Sequence, residues 1–354
     1  MVKKQIRVGG VLIGGGAPIT VQSMTNTKTS DISATVAQIG RLADAGCDVV
    51  RLAVPDLSSA RALAAIKKDV SLPLVADIHF DYQLAIAAAE SGADKIRINP
   101  GNIGSDENIR AVTDVCRQKG IPIRIGVNGG SLEKDILKAH GGVTAEAMLE
   151  SALRHVALLH QFDFDDICIS VKASDVRLTI DAYRLLHEAT AYPLHLGVTE
   201  AGTAYAGLVK SAVGIGALLA EGIGDTLRVS LTAPPESEVK AGLEILKALG
   251  LRRGGVELIS CPTCGRTRID LISIAEEVER RLSGRKTELT VAVMGCAVNG
   301  PGEARRADVG IAGGDGEGVL FKKGEIVRKV PKEALVDALM ALIDDCEKEK
   351  QTAH

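Results

Sequence analysis

Tryptophan is absent from this chain, and phenylalanine and tyrosine make up only 2% of its 354 residues. Proteins that bind single-stranded nucleic acid stack bases on aromatic side chains, so this scarcity argues against such a role. The formal net charge is -3, so the chain also lacks the basic field that attracts a nucleic acid. We therefore expect no nucleic-acid partner.

Long apolar runs are missing as well. The longest candidate, residues 211–220, covers ten positions, whereas a membrane-spanning helix needs about 20. The first residues lead into charged and glycine-rich sequence without the apolar segment of a signal peptide. With 46% hydrophobic and 25% charged residues, the composition is typical of a globular enzyme. These features predict a cytoplasmic protein that does not bind membranes.

The seven cysteines do not indicate a disulfide framework, because their number is odd and the expected compartment is reducing. Four of them stand alone in apolar surroundings and are interpreted as small buried hydrophobic residues; these are Cys47, Cys116, Cys168 and Cys346. The remaining three follow residue 255 and belong to a motif described below.

Strand-like and helix-like segments alternate up to about residue 250. The predicted strands are residues 19–25, 49–54, 72–79, 95–99, 121–128, 166–173, 194–200 and 226–232. The predicted helices are residues 33–46, 56–69, 82–91, 105–119, 144–162, 175–190, 203–221 and 235–249. Eight such βα units predict a (β/α)8 TIM barrel over residues 1–250, with a doubly wound open sheet as the alternative. Residues 1–18 are expected to form an additional hairpin.

The pattern changes after Gly250, where residues 251–255 resemble a linker. The expected strands are residues 256–260, 289–294, 309–312 and 319–321, and the expected helices are 269–283 and 331–348. We therefore predict a second, smaller α+β domain over residues 251–354.

Polar residues spaced by two share one face of a strand, and the chemistry of TIM barrels lies at the carboxyl ends of the strands. The polar pairs found on the strands in this way are Asp77 and His79, Arg97 and Asn99, Arg124 and Asn128, Ser170 and Lys172, and Arg228 and Ser230, and the lone strand residues Arg51 and His195 join them. Five of these are cations on five different strands, and the carboxylates found for them are only Asp77 and Glu200. Because unpaired buried charge is costly and arginine forks match phosphate oxygens, we infer that a small diphosphate supplies the missing negative charge.

The candidate acid–base groups are less sharply defined. His79 and His195 are either proton donors or acceptors, or histidines whose hydrogen bonds are satisfied in the core. Glu200 ends the seventh predicted strand in a polar mouth, which suits a proton donor. Its alternative role is to pair with an arginine.

The second domain carries Cys261-Pro262-Thr263-Cys264, followed by Cys296 in a loop rich in glycine and proline. A Cys-x-x-Cys motif alone is compatible with a redox dithiol, a zinc site or an iron–sulfur site. Zinc normally takes four Cys or His ligands, and the only histidine of this domain is His354. A [4Fe–4S] cluster can be held by three thiolates, with Glu303 as a candidate oxygen ligand, so the residues favour iron–sulfur.

Several motifs together resemble the 4-hydroxy-3-methylbut-2-enyl diphosphate synthase family. They lie in residues 23–27, 77–80, 95–102, 124–128, 196–202, 261–266 and 295–303. The resemblance covers nearly the whole chain. It implies a TIM barrel followed by an α+β iron–sulfur domain like that of sulfite and nitrite reductases.

The resemblance also implies a reaction in isoprenoid biosynthesis. The substrate would be 2-C-methyl-D-erythritol 2,4-cyclodiphosphate of the methylerythritol phosphate pathway, and flavodoxin or ferredoxin would donate two electrons. Cys261, Cys264 and Cys296 would bind a [4Fe–4S] cluster, with Glu303 as a displaceable fourth ligand, and Glu200 would be the proton donor. The residues matching positions that hold the diphosphate are Arg51, Arg97, Arg124, Asn128, Lys172, Arg228 and Ser230.

Two other functions stay open on the residues alone. One is a zinc-stabilised, phosphate-binding barrel enzyme, either a pterin-type synthase or an aldolase with Lys172 as its Schiff-base nucleophile. The other is a non-catalytic sensor that carries a cluster.

Barrel geometry predicts the assembly. The eighth helix returns the chain to the face opposite the catalytic mouth over about 22 Å, and about six linker residues span only about 20 Å. We therefore expect a head-to-tail homodimer in which the partner's cluster serves each barrel, as the resemblance also implies.

Overall fold

The structure is a computed structural model that describes residues 3–285, 287–296 and 304–352. The chain divides into two compact units, Met1–Arg252 and Arg253–His354. Each unit encloses its own hydrophobic core. Within the described ranges, no helix combines the length and apolar character needed to cross a membrane.

The first unit begins with an antiparallel hairpin of β1 (Gln5–Val8) and β2 (Val11–Gly14), as expected from the sequence. Eight parallel strands follow, and they are β3 (Thr20–Met24), β4 (Val49–Ala53), β5 (Leu74–Asp77), β6 (Lys95–Ile98), β7 (Ile123–Asn128), β8 (Ile167–Lys172), β9 (His195–Leu196) and β10 (Thr226–Leu227). Their order is β8-β7-β6-β5-β4-β3-β10-β9, and a bridge between Ile169 and Leu194 joins the two ends. The predicted TIM barrel is confirmed.

Nine described helices surround this barrel, and they are α1 (Ile32–Asp44), α2 (Leu57–Asp69), α3 (Tyr82–Glu90), α4 (Asp106–Lys119), α5 (Lys134–His140), α6 (Ala145–His160), α7 (Val176–Ala189), α8 (Ala204–Ala220) and α9 (Pro235–Ala248). Side-chain oxygens of Asp31, Asp56 and Asp175 accept backbone N–H groups in the first turns of α1, α2 and α7. Such caps satisfy donors that have no partner inside the helix. The short α5 was not predicted.

The hairpin closes the amino-terminal end of the barrel. Ile6, Val8 and Ile13 pack with Val49, Val75 and Cys168 into one apolar cluster. The strand residues of this cluster lie near the start of β4, β5 and β8. Polar side chains further along the strands are therefore directed toward the opposite, carboxyl-terminal mouth.

The second unit contains a five-stranded sheet in the order β11 (Val256–Ser260), β12 (Leu289–Met294), β13 (Val309–Gly313), β14 (Glu317–Lys322) and β15 (Glu325–Pro331). The first three strands are parallel and the last two are antiparallel to their neighbours. Helices α10 (Leu271–Leu282) and α11 (Leu335–Thr352) share one hydrophobic core with the sheet. The α+β prediction is confirmed, although β15 was not predicted.

Candidate active site

Asp77, the last residue of β5, is the carboxylate on which three predicted site residues converge. Its oxygens lie 3.2 Å from Arg97 Nη1, 3.8 Å from Arg51 Nε and 3.4 Å from His79 Nε2. Burial acts to raise the pKa of this carboxyl group, but Arg51, the hydrogen bond from His79, Arg97 and Arg124 outweigh burial and hold the pKa well below its usual range. Asp77 is therefore ionised and orients two guanidinium groups.

Arg124 and Lys172 have no such partner. Both side chains are buried, and neither forms an ion pair within the described part of the chain. Arg124 Nη1 donates a 2.9 Å hydrogen bond to Ser170 Oγ, while its Nε and Nη2 atoms are buried and have no acceptor in the described parts of the chain. Burial, followed by the nearby arginines, lowers the pKa of both groups. They are the groups best placed to receive an added anion.

The structure adds Lys95, a sixth cation, to the five predicted ones. Its side chain is fully buried at the start of β6, two residues before Arg97, and its Nζ has no hydrogen-bond partner among the described residues. Burial lowers its pKa to about 8, and the neighbouring Arg124 contributes. The spacing of two from Arg97 was the sequence signal for this position.

The second carboxylate of the cluster is Glu238 on α9, which the sequence analysis missed. Its Oε2 lies 3.2 Å from Arg228 Nη2 and 3.2 Å from Ser23 Oγ, and its Oε1 accepts the backbone N–H of Leu231 at 3.0 Å. Glu238 is buried on the core-facing side of its helix. The sequence signal for Glu238 was an acidic residue among the mostly apolar positions on the buried face of this helix.

Glu200 is not an arginine-pairing carboxylate. It is exposed, and it takes part in no ion pair of the described residues. Its backbone has a φ of 52°, which is uncommon for a residue other than glycine and is associated with functional sites. Among the described residues, the carboxylates that pair with the site arginines are Asp77 and Glu238, so the arginine-pairing alternative for Glu200 falls away and its prediction as a proton donor stays open.

The remaining predicted site residues are Asn128, Ser230 and Asn99. Asn128 and Lys172 are register partners on β7 and β8, and Ser230 lies two residues beyond Arg228. Asn99 is buried, and its Oδ1 accepts the N–H of Gly101 at 3.2 Å, so it shapes the turn after β6.

His195 is a core histidine. Its Nδ1 lies 3.4 Å from Thr226 Oγ1, and its fully buried Nε2 has no hydrogen-bond partner in the portion of the chain that the structure describes. Burial and then Lys172 lower its pKa well below the usual value. The imidazole is therefore neutral. His79, by contrast, is largely exposed beside Asp77.

Two glycines make room for the cationic side chains. A Cβ at Gly126 would stand 2.7 Å from Nη2 and 2.9 Å from Cζ of Arg97. A Cβ at Gly197 would stand 2.5 Å from Lys172 Nζ and 2.7 Å from the carbonyl oxygen of Arg228. Both positions face the interior, where only glycine leaves this space.

In the second unit, Cys261 and Cys296 follow the adjacent parallel strands β11 and β12 at the same sheet edge. The N–H of Gly295 donates to Cys261 Sγ at 3.1 Å, and the N–H of Arg268 donates to the carbonyl oxygen of Gly295 at 2.9 Å. Cys264 is exposed, and the backbone N–H of Arg266 lowers its pKa.

The donor types at this edge fit a thiolate-bound metal cluster, and hydrogen bonds to the sulfur atoms are typical of such sites. Among the described residues, however, no three His, Cys, Asp or Glu side chains lie close enough together to hold a metal ion. The predicted ligand Glu303 lies outside the described residues. All seven cysteines are free, and the four interpreted as apolar core residues are buried.

Comparison with known proteins identifies the family. The GcpE TIM-barrel domain model matches residues 3–243, and the GcpE protein C-terminal domain model matches residues 257–345. The barrel is also similar to the solved structures of type I 3-dehydroquinate dehydratase from Clostridium difficile (TM-score 0.53, 15% identity) and dihydropteroate synthase from Xanthomonas albilineans (TM-score 0.50, 14% identity). Each alignment covers 70% of this chain, with 98% and 97% of the respective neighbours. At these identities the likeness shows the fold alone.

Sequence relatives are much closer. The chain is 60% identical to 4-hydroxy-3-methylbut-2-en-1-yl diphosphate synthase (flavodoxin) from Geobacter sulfurreducens, over 98% of both chains. It is 60% identical to the synthase of the same name from Bacillus subtilis, over 96% of this chain and 90% of the relative. These matches favour the synthase over a zinc-stabilised barrel enzyme or a sensor. The chain belongs to the GcpE family of 4-hydroxy-3-methylbut-2-en-1-yl diphosphate synthases.

Proposed function

We propose that this chain reductively opens 2-C-methyl-D-erythritol 2,4-cyclodiphosphate. Two electrons and two protons convert this substrate into (E)-4-hydroxy-3-methylbut-2-enyl diphosphate and water in the cytoplasm. The observation that carries the proposal is the excess of cations over carboxylates in the barrel. The six cations are Arg51, Lys95, Arg97, Arg124, Lys172 and Arg228, and the carboxylates that contact them within the described residues are Asp77 and Glu238.

The barrel residues bind and orient the diphosphate. Arg97 and Arg228 are fixed by carboxylates at 3.2 Å, and Arg51 lies 3.8 Å from Asp77, so their remaining N–H groups are preorganised for phosphate oxygens. Arg124 and Lys172 supply positive charge that no carboxylate of the described residues neutralises. Together with the polar residues Asp77, Asn99, Asn128, Ser170 and Ser230, they form the proposed substrate site. Glu200, exposed on the loop after β9, would donate a proton to the departing hydroxyl group.

The electrons require a cofactor. Cys261, Cys264, Cys296 and Glu303 would hold a [4Fe–4S] cluster, which supplies electrons to the substrate one at a time. The exposed Cys264 and the hydrogen-bonded Cys261 support thiolate ligation at this sheet edge. The names of the relatives support flavodoxin over ferredoxin as the donor.

Anaerobically purified protein tests this function. We expect a brown protein with about four irons per chain that converts the cyclodiphosphate when reduced flavodoxin is supplied. Arg124→Met should weaken cyclodiphosphate binding roughly 10- to 150-fold, the value of a charge-assisted hydrogen bond. Arg61→Met, on the exposed face of α2, is the matched control and should bind normally. A zinc-loaded protein, or one without affinity for the cyclodiphosphate, would contradict the proposal.

We further propose that a head-to-tail homodimer builds each active site from one chain's barrel and its partner's cluster. An exposed apolar stripe on α8, formed by Tyr205, Leu208, Val209 and Val213, gives the barrel unit a surface suited to a partner chain.

Co-expression of inactive Glu200→Ala with inactive Cys296→Ser tests this arrangement. Random pairing leaves about half the dimers mixed, each with one intact site of two, so about a quarter of wild-type activity should return. Mixed dimers without activity would show that each cluster serves its own barrel.

A further inference from the structure

Met24, the last residue of β3, lies between two arginines of the proposed substrate site. Its Sδ is 3.1 Å from Arg51 Nε and 3.0 Å from Arg51 Nη2. Arg228 Nη1 lies 3.7 Å from the same sulfur atom. Met24 and Arg51 are register partners on neighbouring strands, so the backbone pairing itself fixes this contact.

The two arginines differ in their other acceptors. Arg228 is held by the Glu238 carboxylate, with nitrogen–oxygen distances of 3.2 to 3.4 Å. The carboxylate nearest to Arg51 in the described structure is Asp77 at 3.8 Å, which is already engaged by Arg97 and His79. The shortest contacts of Arg51 are therefore to the sulfur of Met24.

A thioether is only a weak hydrogen-bond acceptor and carries no charge. It can hold the plane of a guanidinium group, but it satisfies little of the donor strength of that group. A phosphate oxygen, which is charged, makes a hydrogen bond to the same N–H groups that is about twice as strong as a neutral one. Exchange of the sulfur for a phosphate oxygen is therefore favourable.

We propose that Met24 is a positioning residue that keeps Arg51 aligned before the diphosphate binds and releases it to the diphosphate on binding. The inference rests on the proposed function, because it requires a diphosphate ligand. In this role the sulfur atom aligns Arg51 without competing strongly with the ligand. A carbon side chain provides no acceptor for Arg51, and a stronger acceptor would compete with the diphosphate. An amide oxygen at this position would compete with the ligand for Arg51.

Two variants of Met24 separate these roles. Met24→Gln has a similar length and adds a strong neutral acceptor, whereas Met24→Leu removes the acceptor. Calorimetric titration of the holoenzyme with the cyclodiphosphate, without reductant, should show a Kd about tenfold weaker for Met24→Gln. Met24→Leu should bind about threefold more weakly than wild type, because it loses the sulfur contacts that align Arg51. In turnover, Met24→Gln should raise KM and leave kcat nearly unchanged, because only binding is affected.

A second arginine variant makes the test specific to Arg51. In an Arg51→Met background, Met24→Gln should cause no further loss of affinity. The introduced amide oxygen lowers affinity by competing with the ligand for Arg51, and that side chain is missing in this background. Met148→Leu, in the buried core of the same unit, controls for a general effect of replacing methionine. If wild-type protein does not bind the cyclodiphosphate, the proposed function fails. If wild type binds but Met24→Gln binds as tightly as Met24→Leu, the role of Met24 is wrong.

Discussion

Gly126→Ala should disable Arg97 while leaving the barrel folded. All three atoms nearest to the added Cβ belong to the Arg97 guanidinium group, which is the far end of a flexible side chain. Carbon and nitrogen atoms in contact lie about 3.5–4.0 Å apart, whereas the added Cβ would stand 2.7 Å from Arg97 Nη2. The guanidinium group must therefore move away by roughly 1 Å. That shift breaks the 3.2 Å contact with Asp77 and moves the fork away from the ligand.

The expected cost is the binding energy of one arginine. A charge-assisted hydrogen bond contributes about 1.5–3 kcal/mol, so the Kd for the cyclodiphosphate should rise at least about tenfold by calorimetry. Arg97→Met should cause a similar loss, and the double variant should be no worse than Arg97→Met alone. Gly40→Ala is the matched control, because a Cβ at Gly40 on α1 meets no atom within 4 Å. Normal binding by Gly126→Ala, or additive losses in the double variant, would refute this account of Arg97.

Three further predictions concern the cluster ligands and the two buried lysines. Cys296→Ser should lose the cluster, whereas Glu303→Ala should keep most of its iron but lose turnover; wild-type activity of Glu303→Ala would exclude its proposed role. The lowered pKa of Lys172 predicts that a bound anion, which favours the charged amine, raises this pKa, so that binding takes up protons at a pH close to it. The apparent binding enthalpy should then vary with the ionisation enthalpy of the buffer, and it should not vary in Lys172→Met. The pKa of Lys95 falls from 10.5 to about 8 on folding, so between these pH values the unfolded chain holds a proton that the native protein lacks. The free energy of unfolding should therefore rise with pH across this window by on the order of 3 kcal/mol relative to Lys95→Met; urea titrations that show a constant difference would contradict this.

The barrel could be predicted because its strands are apolar, regularly spaced and separated by recognisable helix starts. The lengths of β9 and β10 could not, since each was predicted to have seven residues and has two. The ladder hydrogen bonds stop where the backbone turns to form the mouth, and Glu200 there adopts a positive φ. Edge strand β15 was missed for a different reason. All but one of its residues are exposed, so it lacks the alternation of apolar and polar residues that predicts a strand.

The site residues on strands could be predicted, because a spacing of two fixes their face. The residues that adjust them could not be read in this way. Glu238 comes from a helix that is distant from Ser23 in sequence, and its contact with Arg228 depends on how α9 packs against the barrel. Gly126 acts through the space that it leaves, which appears only when the neighbouring strand is in place. Met24 lies in the family motif at residues 23–27, but its role depends on the register of β3 and β4.

The buried cations that bind the ligand are also the groups that destabilise the barrel when no ligand is bound. Lys95 Nζ, Arg97 Nε and two nitrogens of Arg124 are buried with no acceptor among the described residues, and a buried donor that stays unpaired costs about 1–3 kcal/mol. Such unpaired donors lower the stability of the ligand-free native state, and the surrounding apolar core and the ion pairs of Asp77 and Glu238 offset this loss. An anion that accepts hydrogen bonds from these groups removes the cost, so it binds the native state and not the unfolded chain. At a concentration of 100 times its Kd, such a ligand stabilises the fold by about 2.7 kcal/mol. The side chains that destabilise the ligand-free barrel are therefore the ones that give it affinity for a diphosphate. An apolar replacement of Arg124 should stabilise the ligand-free barrel and weaken its binding of the diphosphate.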